Sequence, residues 1–191
     1  MRSVMKTANF STAKLARRAA RFFGDCRGVT AVEFAMLLPV MMTLYLGSVE
    51  TSQGIAANRK VTLTAHTLAD LTSQYTDITN ADMSNILAAG TAIIAPYAAA
   101  NLQEVVSEIA INAQGVATVT WSDTLNGTAR AVGQAVSVPS SLAVPNSYLV
   151  LSEVQYSYNP TYGYVLTGTM TLHDQIFMRP RQSDSIARTP S

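Results

Sequence analysis

The stretch Arg27-Gly28-Val29-Thr30-Ala31-Val32-Glu33-Phe34 decides how this chain is read. A basic leader ends at Gly28, and the fifth residue after it, Glu33, is a lone carboxylate in an apolar run. A charge at the centre of a membrane helix opposes insertion by roughly 2.5–3.5 kcal/mol, and by less near an end. A sequence that keeps Glu33 there has a use for it. From Val29 to Val49 the only ionisable side chains are Glu33 and Tyr45. At ~1.5 Å per residue, a helix of that length matches a hydrocarbon core of ~30 Å.

Working outward, the flanks differ sharply in charge. The formal net charge of +1 over 191 residues conceals seven basic residues and one acid in residues 1–28, which leaves six basic and eleven acidic residues beyond. Arg and Lys crowd the N-terminal side of the apolar run, so the positive-inside rule expects residues 1–28 in the cytoplasm and everything after about Glu50 beyond the membrane. A cleaved secretory signal is the competing reading. Against it, the run exceeds the usual ~7–15 residues of such a segment. No small-residue cleavage site follows promptly either; Ala56-Ala57 stands several residues too late. Only 13% of residues are charged, well below the ~25% of ordinary soluble domains, which fits a membrane-tethered chain.

The pattern of basic leader, Gly28, Glu33 at the fifth position and a long apolar span resembles the processing site of type IV prepilins. The continuation to Pro39, with Gly47 and Glu50 beyond, resembles more narrowly the TadE/TadG-like pseudopilins of tight-adherence (Flp) pilus systems. The resemblance implies cleavage by a prepilin peptidase between Gly28 and Val29. It also implies a role for Glu33 in pairing with the freed amine of Val29 on a neighbouring subunit; a Glu33 that merely snorkels to water is the plainer alternative. Pro39 is expected to kink the helix. The implied partners are the peptidase, other pilins or pseudopilins of the same system, the cytoplasmic membrane and the pilus assembly platform. The implied place is a bacterial inner membrane, with the C-terminal domain in the periplasm or carried into a pilus. Flp major pilins are far shorter than this chain, and TadG-type chains often carry a large added domain for which there is no room. A minor pilin or pseudopilin fits best. An uncleaved single-pass anchor presenting a binding ectodomain, or a tip adhesin using Tyr148–Tyr164, are the rivals.

Beyond the span the helical period continues. Ala57, Val61, Ala65, Leu68, Leu71 and Tyr75 recur every three or four residues, so one helix is expected from about Thr30 to Gln74. Thr79 or Asn80 can cap a second helix ending at Pro96, with Met83, Ile86, Leu87, Ala89, Ile93 and Ile94 as its apolar face. Alternation then indicates a hairpin, Val105–Ile111 and Val116–Trp121, turning at Asn112-Ala113-Gln114-Gly115, with Ala117, Val119 and Trp121 on one side. Thr124–Ser147 reads as a loop holding one short strand near Val132–Val138. Tyr148–Tyr158 and Tyr164–Asp174 read as strands joined by a turn at Asn159–Gly163. The expected fold is α+β, a pilin-like lollipop: long transmembrane and stalk helix, short second helix, small antiparallel sheet. The expected divisions are leader 1–28, span 29–49, helical stalk 50–76, exported domain 77–180 and flexible tail 181–191.

Catalytic chemistry is not expected. Cys26 lies in the leader, His66 and His173 fall on different elements without metal-ligand spacing, and no phosphate loop, nucleophile elbow or paired zinc histidines occur. Glu104 and Glu108, four apart on a strand, are expected as solvated edge residues. The basic cluster is explained by topology and the rest is acidic, so neither a nucleic-acid partner nor a metal or cofactor is expected.

Overall fold

The computed structural model describes residues 27–160 and 168–189. The chain divides into two units, residues 1–48 and 49–191. Cys26 and the leader lie outside the described residues, as do Tyr164, Leu166 and most of the expected turn before them.

Helix α1 is Arg27–Ser73, 47 residues with Pro39 inside it. Its first half carries nine Ala, Leu and Met residues, all strong helix formers. In the first unit every side chain from 28 to 45 is exposed, Met36 to 74% and Leu44 to 69%. At Pro39 the ring removes one backbone donor. Thr43 Oγ1 donates to the Pro39 carbonyl at 2.9 Å.

In the second unit α1 becomes amphipathic. Ala57, Val61, Ala65 and Leu68 are fully buried, and Leu71 and Tyr75 pack beside them. Strand β1 is Asp77–Ile78. Helix α2, Asn80–Ile94, starts at a capping box: Asp82 N donates to Thr79 Oγ1 at 3.2 Å, and Thr79 N donates back to Asp82 Oδ2 at 3.1 Å. The Thr79 hydroxyl, donating to Asp82 Oδ2 at 2.6 Å, and after it the Thr79 amide hold the Asp82 carboxyl below its ordinary pKa. A 3₁₀ turn, Ala99–Asn101, leads into the sheet.

The sheet holds β2 (Leu102–Ile111), β3 (Ala117–Leu125), β4 (Ser147–Tyr158) and β5 (Met170–Met178), in order β3-β2-β4-β5 and antiparallel throughout. Gly115 makes the β2–β3 turn at φ +77°, where a side chain would be strained. Asn112 Oδ1 accepts from Gln114 N and Val116 N, both at 2.9 Å. A short β6, Ala187–Arg188, pairs with β1 in parallel. The long apolar helix, one further helix and small antiparallel sheet make the α+β, pilin-like layout that the sequence leads one to expect.

Each sheet face carries an apolar cluster. The helices pack on one through Leu102, Val106, Trp121, Val150, Val154 and Tyr156. On the other, Ile109, Ile111, Leu149 and Leu151 lie under Val136, Val138 and Leu142 of the segment after β3. That segment makes a single bridge, Ala135 to Thr118, in place of the short strand expected there.

Three expectations are corrected. Trp121 does not share a face with Ala117: Glu108 pairs with Trp121 but Ile109 with Val119, so Thr120 is an extra residue. The bulge turns Trp121 to the helices while Ala117 joins the other cluster. Glu104 and Glu108 are not solvated, being 0% and 3% exposed, because β2 is an interior strand. Residues 181–189 of the expected tail are not free. Arg181 pairs with Asp70 at 2.5 Å, Ile186 is 1% exposed, and Arg188 grips Asp123.

Candidate functional site

The residues singled out by sequence lie at the start of α1. Gly28 and Val29 occupy its first turn, and Val29 and Glu33, four apart, share one face. Val29 is 57% exposed, and Val32 and Phe34, which flank Glu33, are 58% and 60% exposed. Glu33 is exposed as well, and among the described residues no cation forms a salt bridge with it. No Cβ at Gly28 would meet another atom. The first turn therefore presents an open backbone, and Glu33 is a single charge on a surface otherwise fit for lipid. Among the described residues α1 is the one helix long and apolar enough to cross a membrane. That is compatible with a single-pass anchor.

At the beginning of the second unit the helix is gripped by polar and aromatic groups. Glu50 is 1% exposed. Tyr97 donates its hydroxyl to the Gln53 carbonyl at 3.2 Å and packs at 6.1 and 6.2 Å between ring centroids on Tyr156 and Tyr158. Burial foremost, with the neighbouring Tyr97, Glu50 and Tyr156, pushes the Tyr158 hydroxyl pKa upward. Tyr156 and Tyr158, part of the stretch that the tip-adhesin rival would use, are buried in the core instead.

The domain also holds two buried acids that alternation alone did not reveal. Glu108 is satisfied: Oε1 accepts from Ile186 N at 2.6 Å, and Oε2 from Thr120 Oγ1 at 2.7 Å. Burial raises its pKa, and those donors oppose the rise. Glu104 is different. Neither carboxyl oxygen has a partner, and burial pushes its pKa up to about 8. Its Oε1 stands so close to Gly90 of α2 that a Cβ there would overlap it, with the Thr64 methyl of α1 on the same side. Glu104 is thus an acid whose burial favours the protonated form, wedged between two helices and the sheet.

Among the described residues no group of three or more His, Cys, Asp or Glu is placed to hold a metal ion. His66 lies on α1 and His173 on β5.

The model of the TadE-like protein family matches residues 28–70 of the chain. The match opens on Gly28 and ends inside α1, before the sheet begins. Neither the curated proteins nor the solved structures gave a match.

Proposed function

From a chain whose residues 28–70 are TadE-like, we propose a minor pilin or pseudopilin that assists assembly of a tight-adherence (Flp) pilus. The family match points to a role in Tad pilus systems, with other components of the system as partners and a part that is structural. A prepilin peptidase cuts after Gly28. Val29 becomes the first residue, and residues 29–49 cross the inner membrane with the C-terminal domain on the periplasmic side. The subunit then engages neighbouring pilins and the assembly platform in that membrane.

Glu33 supplies the mechanism. Cleavage frees the Val29 α-amine, whose ordinary pKa of about 7.7–8.0 leaves it largely cationic at neutral pH. Within one chain this amine sits about a helical turn from Glu33. Between chains, Glu33 of one subunit pairs with Val29 of the next, so two charges in an apolar setting compensate each other and fix the stagger between helices. Removing one partner of a buried pair costs about 3–5 kcal/mol. Pro39, one to two turns further on, loosens the helix where neighbouring subunits must fit.

One observation carries this reading: the family match starts at Gly28, and the helix that follows exposes Glu33 on an apolar surface. The test is the N-terminus of the protein in native membranes, by intact mass and terminal peptide sequencing, with and without the peptidase. A chain starting at Val29 only when the peptidase is present is expected. An intact leader in both backgrounds would overturn processing and leave an uncleaved membrane anchor.

A further inference from the structure

The outer face of the sheet, opposite the helices, carries an open cleft of about 430 Å³ that the pilus reading does not use. Its floor is built by register. Gln103 of β2 stands opposite Gln155 of β4, which stands opposite His173 of β5. The three side chains lie side by side at the strand spacing of ~4.8 Å. All three are exposed, and among the described residues none makes a side-chain hydrogen bond.

One wall is fixed. Arg130 holds Glu153 with two parallel bonds, Nε to Oε2 and Nη2 to Oε1, both at 2.6 Å. The Arg130 amide donates to Ser122 Oγ at 3.0 Å, which also accepts from Ser107 Oγ at 2.8 Å, so the wall is tied to β2 and β3 from below. Gln134 closes the same side, its Oε1 accepting from Ala131 N at 3.2 Å with its amide hydrogens left over.

The chemistry of this lining selects its ligand. The Arg130–Glu153 pair neutralises itself, so the cleft offers no net charge to an anion or a cation. The row beside it presents side-chain amides, each a double donor and an acceptor, and an imidazole. Such groups match neutral, closely spaced hydroxyls. Half-buried Val105, between the row and the wall, offers an apolar patch for ring C–H groups. We propose that this cleft binds a neutral polyhydroxylated chain, a saccharide lying across strands β2, β4 and β5. The row Gln103, Gln155 and His173 runs across the strands, so successive rings of such a chain would meet successive strands. The inference does not depend on cleavage at Gly28 or on Glu33.

The test uses the full chain in phospholipid nanodiscs, with two soluble probes read by saturation-transfer NMR and titration: chitohexaose, an N-acetylated amino-sugar chain, and maltohexaose, a plain glucose chain. Binding to at least one is expected. The Gln103→Ala/Gln155→Ala double variant, checked for unchanged circular dichroism, should weaken it at least about tenfold, the effect of one or two lost hydrogen bonds. Arg130→Met, which opens the wall, should weaken it as well. Binding to chitohexaose alone supports the proposal with an amino-sugar polymer of the cell-wall type as the source. Binding to maltohexaose alone, or to both, supports it with a plain hexose surface included. No binding to either probe, or binding indifferent to the double variant, overturns it.

Discussion

Glu104 carries a consequence for how stability varies with pH. Its carboxyl has an ordinary value of 4.5 when unfolded and is pushed up to about 8 by burial. Between those values the folded state holds a proton that the unfolded state has released, so stability falls as pH rises. The contribution is intact below about pH 4.5 and is lost progressively toward about pH 8, at up to ~1.4 kcal/mol per pH unit. Urea denaturation of the native protein at pH 5, 6.5 and 8 should show this decline, and Glu104→Gln should flatten it; a decline of equal slope in the variant would assign the effect elsewhere. Gly90 belongs to the same contact. Gly90→Ala puts a methyl group into Glu104 Oε1 and against Thr64, both without room to retreat, and should destabilise by ~1–3 kcal/mol, the usual range for overpacking. In a Glu104→Ala background the same change should cost much less, which a double-mutant cycle reads directly.

At the scale of elements, local signals carried most of the reading. The Thr79–Asp82 capping box and the Asn112–Gly115 turn are recognisable because a few neighbouring residues satisfy the backbone there. The stripe Ala57, Val61, Ala65 and Leu68 declares the helix because its period is the helical one. What stayed hidden depended on strand order. An acidic residue every second or fourth position looks the same on an edge strand and on an interior one, and only the pairing of β2 with both β3 and β4 buries Glu104 and Glu108. The bulge at Thr120 likewise leaves no trace in the alternation of its neighbours. The polar C-terminal segment disguised one apolar residue, Ile186, whose carbonyl accepts from Trp121 Nε1 at 2.8 Å and whose amide donates to Glu108. Ile186→Ala should therefore cost ~2–4 kcal/mol, within the range for truncating a buried aliphatic side chain. Trp121 is the sole tryptophan, so its fluorescence should shift to longer wavelength as that contact loosens.

For the whole molecule, the candidate site and the domain of residues 49–191 draw on different kinds of information. Gly28, Glu33 and Pro39 are read from spacing along one helix, which needs no tertiary information, and the TadE-like match falls on that same helix. The cleft over β2, β4 and β5 could not be read this way, since Gln103, Gln155 and His173 are distant in sequence and meet only through register. On the proposed function, Glu33→Ala should leave the amount of protein in the membrane unchanged and reduce surface pili, counted by electron microscopy, at least tenfold, as an unpaired charge of ~3–5 kcal/mol implies. Normal piliation in that variant would separate Glu33 from assembly.

The closure of the domain by residues 186–188 sets an order of events. A polypeptide is synthesised from the N-terminus, and domains fold as their residues become available. Here Ile186, which supplies a donor to Glu108 and the acceptor for Trp121, and Arg188, which neutralises Asp123, are made after the strands they complete. Until they arrive, one oxygen of the buried Glu108 carboxyl on β2 and the Trp121 indole N–H on the edge strand β3 lack their partners. The nascent domain therefore remains incompletely locked, and pliable, until residues 186–188 have been added.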